Sequence, residues 1–419
     1  MPFNNAKKQL KNVIKLLDDN IFTKNEKDNI YTILSNPNKV HKFELKIKMD
    51  NWMVKSFTAF RSQHNNLKGP YKGWIRFHQD VSENEVKALS TWMTIKTSVL
   101  DLPLWGWKGW IIVNPKDLSK NELKKLSEEY VKFLYKEIGP DVDVPAPDVN
   151  TNWQIMAWMN NKYQELVWKD VFTFTWKPLE LGWSLWRPEA TWFGWITVLE
   201  EVVWNLKKKK VIIQGFWNVG SFAAKRLLSK WAIILWISDS KSAIYKEEWF
   251  SKEEIEYFIK IKSCKKFSLE EIKKSLSMEW VIVISNEELL TKKCDILIPS
   301  ALENVITEKN ANNINANYIL ELANWPVTPE ADEILEKRNI IVIPDVLANS
   351  GWVLVSYYEQ IQNKSWDYWD KDFVINKMDK KLKLETNNIL DLKIKNLRLA
   401  AYLLSVTRLW KIAKLKNLI

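Results

Sequence analysis

Glycine is what this chain has too little of: 10 residues in 419, where the usual share of ~7% would give about 29. Cysteine is almost absent. Cys264 and Cys294 are the only two, which excludes a disulfide framework and suits a reducing compartment. Three histidines, His41, His64 and His78, show with those cysteines no metal-ligand spacing, so no metal centre is expected. No apolar run approaches the roughly 20 residues of a bilayer span. The N-terminus, MPFNNAKKQLKN, has no apolar core of the kind a secretory signal needs. These absences point to a cytoplasmic protein that does not engage a membrane.

What remains is ordinary, with one exception. At 419 residues the chain is long enough for two domains, and it is 46% hydrophobic and 27% charged. Its net charge of +11 raises the question of nucleic acid. The lysines, however, are spread through helical stretches such as SKNELKKLSEEYVKFLYKE, mixed with glutamates. They read as solvated helix faces, and no nucleic-acid partner is expected. The exception is tryptophan, of which there are 25. Glycine and tryptophan together make 35 residues, about 8% of the chain and close to the usual share of glycine alone.

The tryptophans fall where glycine belongs. In KKVIIQGFWNVGSFAAKRLL, the apolar run Val211 to Ile213 reads as a buried strand and the end as an amphipathic helix. Between them stands Gly215-Phe216-Trp217-Asn218-Val219-Gly220. With glycine at 217 this becomes G-x-G-x-x-G in strand-turn-helix context. That turn carries the pyrophosphate of a dinucleotide against its backbone, and an indole at its second glycine would fill the space. The same replacement turns PYKGWIRF into PYKGGIRF, PLWGWKGW into PLGGGKGG, and ELANWPVTPEA into ELANGPVTPEA. A source that decodes UGA as glycine, translated here as tryptophan, accounts for the pattern. Trp92 and Trp158, in apolar helical surroundings, read as genuine. Taken literally, aromatics among basic residues could stack nucleic-acid bases, but stacking platforms do not fall selectively at turn positions.

Other residues suit the dinucleotide reading. Asp239 ends the next apolar run, AIILWISDS, 24 residues after Gly215. That is near the offset of about 20 expected for an acid on the adenosine ribose. Upstream, Lys72, Lys96 and Lys108 are each set among apolar, glycine or proline residues, unlike the lysines of the charged helices. Asp148 is held among prolines in PAPDVNTN. Lys108 sits in DLPLWGWKGWIIVNP, which reads as a tight loop. A dicarboxylate substrate needs cations to hold it, and a desolvated lysine among cations has a lowered pKa and can act as a base.

With glycine restored, the chain resembles the glutamate dehydrogenase family along almost its full length. The resemblance is carried by RSQHNNLKGPYKGWIRFH, DLPLWGWKGWIIV, GPDVDVPAPDVNTNWQIMAWM, LELANWPVTPEADEIL and DVLANSGWVLVSYYEQIQN, in that order. It implies reversible NAD- or NADP-dependent oxidative deamination of L-glutamate to 2-oxoglutarate and ammonia. It further implies Lys108 and Asp148 as catalytic, Lys96 on the α-carboxylate, and Lys72 with Ser356 on the side-chain carboxylate. Gly215, Trp217, Asn218, Val219, Gly220, Asp239, Thr191, Asn324 and Asn349 would border the coenzyme. Asp239 favours NAD, while Ser240 and Lys241 could receive the 2′-phosphate of NADP. Relatives acting on leucine, phenylalanine or valine share the fold, but their counterparts of Lys72 and Ser356 are expected to be apolar. A catalytically inactive homologue is the third reading, if the tryptophans are real.

The expected architecture is α/β. Residues 1–185 form an α/β substrate-binding and oligomerisation domain. Residues 186–351 form a doubly wound Rossmann-type domain whose strands include KVIIQG, AIILWISD, CDILIP, YILELAN and IIVIPD. Residues 352–419 are helical by spacing and should pack back on the first domain. The resemblance implies a homohexamer, with the active site in the cleft between the domains.

Overall fold

The computed structural model describes residues 2–169, 172–181, 187–265, 268–275 and 281–419. The chain divides into two compact units. The first comprises residues 1–187, 353–376 and 402–419, and the second comprises residues 188–352 and 377–401.

The first unit is built on five strands: β1 (Lys39–Lys48), β2 (Val54–Gln63), β3 (Tyr71–His78), β4 (Trp105–Ile112) and β5 (Asp143–Pro147). Their order is β1-β2-β4-β3-β5. β1–β2 and β2–β4 are antiparallel, and β3 runs parallel to both β4 and β5. β1 alternates exposed and buried side chains, the mark of an edge strand with one solvated face. β4 is buried along nearly its whole length. It lies between two partner strands and under the helix Glu83–Val99, where a Cβ on Gly106 would meet the Ser90 carbonyl at 2.2 Å. On the opposite face, a Cβ on Gly109 would meet the Tyr130 hydroxyl at 2.5 Å. Only glycine lets backbone and helix approach that closely.

The second unit has seven strands: β6 (Lys210–Gln214), β7 (Ile233–Ser238), β8 (Ala243–Tyr245), β9 (Ile282–Ile284), β10 (Ile296–Pro299), β11 (Tyr318–Leu320) and β12 (Ile341–Ile343). Their order is β12-β11-β10-β6-β7-β8-β9. β12, β11, β10, β6 and β7 are mutually parallel, and β8 and β9 add an antiparallel edge. The five parallel strands are the five apolar runs the sequence marks. They read as continuous runs because helices cover both faces of such a sheet. The order reverses at β6, whose neighbours are β10 and β7, so the turn after β6 lies at a topological switch point.

The C-terminal segment departs from the expectation that it returns whole to the first domain. Residues 377–401 join the second unit. The helix Lys371–Leu390 is tied there by Thr197 Oγ1 to Asp379 (2.5 Å) and by Asn387 Nδ2 to Glu201 (3.2 Å). Residues 353–376 and 402–419 belong to the first unit, where Arg408 Nη1 donates to the Ser98 and Val99 carbonyls. Among the described residues, no helix is long and apolar enough to cross a membrane.

Backbone conformation sets the tryptophans apart. Among the described residues, fifteen that are not glycine have φ in the left-handed region, and eight of these are tryptophan: Trp52, Trp168, Trp176, Trp204, Trp231, Trp249, Trp325 and Trp366. Asparagine, which tolerates this region best after glycine, accounts for four. Trp92 and Trp158 lie within helices and are not in this group.

Candidate active site

The lysine of PLWGWKGW is not in a loop. It stands in the middle of β4, paired with Trp74 of β3 on one side and Ser62 of β2 on the other. Alternating small and large residues suggest a turn, but here glycine serves close strand-to-helix packing. Trp105, Trp107 and Trp110 on the same strand are fully buried. Side chains two residues apart share a face of a strand, so Lys108 shares its face with Gly106, which packs on the helix Glu83–Val99. Lys96 lies on that helix and is buried too.

Lys108 Nζ donates to Asp148 Oδ2. Asp148 follows β5, and its backbone N–H donates to the Ile75 carbonyl (3.1 Å) and to Thr151 Oγ1 (2.7 Å). The chain therefore turns at Asp148 against β3. Arg76 of β3 reaches the same carboxylate oxygen, with Nε and Nη2 each at 3.2 Å. Burial pushes the Lys108 ammonium down to about 8, with Asp148 opposing that shift and Arg76 adding to it. Burial works against charge on Asp148 as well, but Lys108 and Arg76 overcome it and hold the carboxyl well below the usual range. The result is a carboxylate clamped between two cations, one of them a lysine close to neutrality at moderately alkaline pH. Sequence reasoning missed Arg76. Its signal is the two-residue period of β3, which puts Lys72, Trp74 and Arg76 on one face.

Lys72 and Ser356 meet through a residue the sequence did not single out. Fully buried, Lys72 Nζ donates to Thr175 Oγ1 at 2.7 Å and to the Val144 carbonyl at 3.3 Å. Thr175 Oγ1 lies 3.1 Å from Ser356 Oγ, and both side chains are buried. Ser356 is on the helix Gly351–Ser365, three residues before Glu359. That glutamate accepts the Trp176 backbone N–H with both carboxylate oxygens (2.9 and 3.1 Å) and pairs with buried Lys177 at 3.6 Å. Residues 173–177 are thus held against the helix Gly351–Ser365. No spacing in the sequence announces this, because 181 positions separate Thr175 from Ser356.

In the second unit, the turn after β6 has the geometry of a phosphate cradle. Gly215 has φ +95°, and a Cβ on Gly220 would stand 2.0 Å from the Gly215 carbonyl oxygen. The helix Asn218–Ser229 starts at once, with Trp217 at its N-cap, 51% exposed and making no side-chain cap. Val219 is half-buried on that helix. The side chain of Asn218 lies outside the described residues. So does that of Thr191, which falls on the helix Arg187–Val203.

Asp239 follows β7. Its Oδ1 accepts the backbone N–H of Lys241 (2.9 Å) and Ser242 (3.3 Å), and its Oδ2 accepts Lys262 Nζ and the Leu269 N–H, both at 2.7 Å. Burial opposes its charge, but Lys262 and these N–H groups hold its carboxyl below the usual range. Asn324 and Asn349 come together, with Asn349 Nδ2 donating to Asn324 Oδ1 (3.1 Å) and to the Leu322 carbonyl (3.3 Å).

Comparison with known proteins gives a consistent result. Residues 182–416 match the Glutamate/Leucine/Phenylalanine/Valine dehydrogenase family, and residues 37–165 match the Glu/Leu/Phe/Val dehydrogenase dimerisation domain. An NAD-specific glutamate dehydrogenase of Staphylococcus aureus is 39% identical over 402 residues, covering 93% of this chain and 94% of that protein. A catabolic NAD-specific glutamate dehydrogenase of Bacillus subtilis is 43% identical over 354 residues, covering 83% and 81%. The glutamate dehydrogenase of Peptoniphilus asaccharolyticus superposes with a TM-score of 0.83 at 34% identity, covering 99% of each chain. The hetero-hexameric glutamate dehydrogenase of Thermus thermophilus does so with a TM-score of 0.88 at 25% identity, covering 99% of this chain and 97% of that one.

Proposed function

The chain belongs to the Glu/Leu/Phe/Val dehydrogenase family, and from that premise we propose that it is a glutamate dehydrogenase. The reaction is the reversible NAD(P)-dependent oxidative deamination of L-glutamate to 2-oxoglutarate and ammonia. The observation that carries the substrate assignment is the buried chain Lys72–Thr175–Ser356. An ammonium and two hydroxyls suit a carboxylate, whereas a cation facing an apolar side chain would be buried without a matching charge. The S. aureus and B. subtilis relatives are both named as NAD-specific glutamate dehydrogenases.

The backbone of the turn after β6 fits a pyrophosphate at Gly215 and Gly220. At position 217 it fits only if the residue is glycine, and we assign glycine there in the native protein. The eight tryptophans with left-handed backbone support decoding of UGA as glycine. The reading is tested on protein from its native source through the tryptic peptide Gly109 to Lys116. A residue mass of glycine at position 110 upholds it. A tryptophan mass there would favour the inactive homologue, with the Trp110 indole on the same strand face as Lys108.

When bound, a nicotinamide coenzyme supplies the hydride acceptor for the substrate α-carbon. The protein's own residues do the rest. Lys72, Thr175 and Ser356 hold the side-chain carboxylate and Lys96 the α-carboxylate, fixing the α-carbon in place. Asp148 takes a proton from the amino group. Loss of hydride leaves an iminium, and Lys108 as general base removes a proton from the water that adds to its carbon. Asp148 returns a proton to the nitrogen, and ammonia leaves as the new hydroxyl gives up its proton to solvent and becomes the carbonyl of 2-oxoglutarate. Gly215, Gly220, Asp239, Thr191, Asn324 and Asn349 border the coenzyme in this scheme.

Replacing Lys72 with Leu and Ser356 with Val tests the substrate. Activity on glutamate should fall at least a hundredfold while oxidation of leucine or norvaline rises. If the double variant shows no such exchange, the glutamate assignment fails. We further assign a homohexamer in the cytoplasm. The match to a dimerisation domain and the hetero-hexameric Thermus relative support the assembly. Light scattering should give six times the 49.6 kDa chain mass, and a monomer would refute it.

A further inference from the structure

The acid after β7 is not free to act as a bare carboxylate. Two carboxylate oxygens offer about four lone-pair sites. In Asp239 all four have donors: the Lys241 and Ser242 N–H groups on Oδ1, and the Leu269 N–H and Lys262 Nζ on Oδ2. Three of these donors are backbone groups, fixed in place. The fourth is an ammonium on a flexible four-carbon stem. Both members of the Lys262–Asp239 pair are largely buried, with side chains 7% and 8% exposed.

An unpaired carboxylate at this place would repel a coenzyme carrying a 2′-phosphate and receive the ribose hydroxyls of one that does not. A carboxylate neutralised by a lysine does neither fully. We propose that Lys262 is a specificity-determining residue that lets this site accept NADP(H) beside NAD(H). It cancels the charge of Asp239, and it can leave that acid to meet a 2′-phosphate as a compact cation. Lys241, on the same rim and 3.5 Å from Glu271, is the weaker candidate because it is exposed and its own counter-charge is at hand. The inference rests on the dinucleotide reading of the turn after β6.

The test compares the full chain, made with the residues that the native protein carries, with K262M and K262R. NADH and NADPH are titrated separately by coenzyme fluorescence, and steady-state rates with NAD and NADP follow. Wild type should bind both. In K262M the ratio of NADPH to NADH affinity should fall at least tenfold, and K262R should keep it within threefold of wild type. If K262M lowers both affinities together, or changes the ratio less than threefold, Lys262 is structural and the proposal is overturned while the dinucleotide reading stands. If wild type binds neither coenzyme, both fall. If wild type binds NADH alone, only the Lys262 proposal falls.

Discussion

Lys108 owes its lowered pKa to where β4 puts it. Buried among apolar and aromatic side chains, its ammonium is destabilised enough to lose a proton near pH 8. A general base acts in its neutral form, so kcat/KM for glutamate oxidation should rise as pH increases through about 8 and level off above it. Asp148 opposes the shift. Removing its charge in Asp148→Asn should therefore move that limb to lower pH, as well as lowering the rate by a factor of about 10²–10⁴, as expected for loss of a general acid–base group. A pH profile of the residual activity that keeps its midpoint near 8 in Asp148→Asn would contradict the pairing of these two residues. Lys108→Met should lose activity on a similar scale, and its rising limb should disappear. Arg76 adds to the downward shift of Lys108, so Arg76→Met should move the limb the other way, toward higher pH. This opposite sign separates an electrostatic role for Arg76 from a purely structural one.

At the scale of elements, the sequence marked some things clearly and others not at all. The five parallel strands of the second unit stand out as apolar runs because both faces of their sheet are covered. The antiparallel edge strands β8 and β9 have three residues each, too few to show a period. β5 holds Pro145 and Pro147, which argue against a strand in sequence, but it is an edge strand paired only with β3. β4 misleads in the opposite direction, since its alternation of tryptophan and glycine mimics a turn. Lys72, Lys96, Lys108, Asp148 and Ser356 could be picked out one by one. Thr175 and Arg76 could not, because what links them to the site is strand register and long-range packing. The tryptophans also matter at this scale. Trp168 caps the helix Trp153–Val167 in the left-handed region, 92% exposed, and Trp204 follows the helix Arg187–Val203 in the same way, 90% exposed. Glycine is the favoured residue at such helix ends. In the chain that carries tryptophan, Trp168→Gly and Trp204→Gly should each raise stability by about 1 kcal/mol, the order of the left-handed penalty. Trp92→Gly, inside a helix, should lower it. Urea unfolding midpoints check both signs, and destabilisation by all three would remove the conformational support for native glycine at 168 and 204.

At the scale of the molecule, one buried charge cluster in the second unit joins segments far apart in the chain. Arg398 donates to Glu321 (2.7 Å), Asp332 (3.1 Å) and Asp345 (3.5 Å). Asp345 in turn accepts the Trp325 N–H, and Glu321 accepts the Asp345 N–H. One cation thus ties the segment after β11, which carries Asn324, to the helix Asp345–Ala348, which Asn349 ends. Removing the guanidinium leaves three buried acids without their counter-charge, so Arg398→Met should cost about 3–5 kcal/mol. The cluster holds more acids than cations, and this gives stability a pH dependence. Burial raises Glu321 to about 7 from an ordinary 4.5, with Arg398 opposing and Asp345 and Asp332 reinforcing the shift. A carboxyl whose pKa is raised on folding binds its proton more tightly in the folded state. The stability it contributes is complete below about 4.5 and is lost as pH rises through about 7. Glu321→Gln keeps a neutral side chain of the same shape at every pH. Between pH 5 and 8, therefore, Tm of the wild type should fall more steeply than Tm of Glu321→Gln, with the two curves diverging fastest between about 5 and 7 and running parallel above about 8. Parallel curves between about 5 and 7 as well would mean that Glu321 is ionised throughout and that Arg398 carries its charge in full. In that case the cluster would be a fixed clamp on the Asn324 and Asn349 segments, with no proton held at its centre.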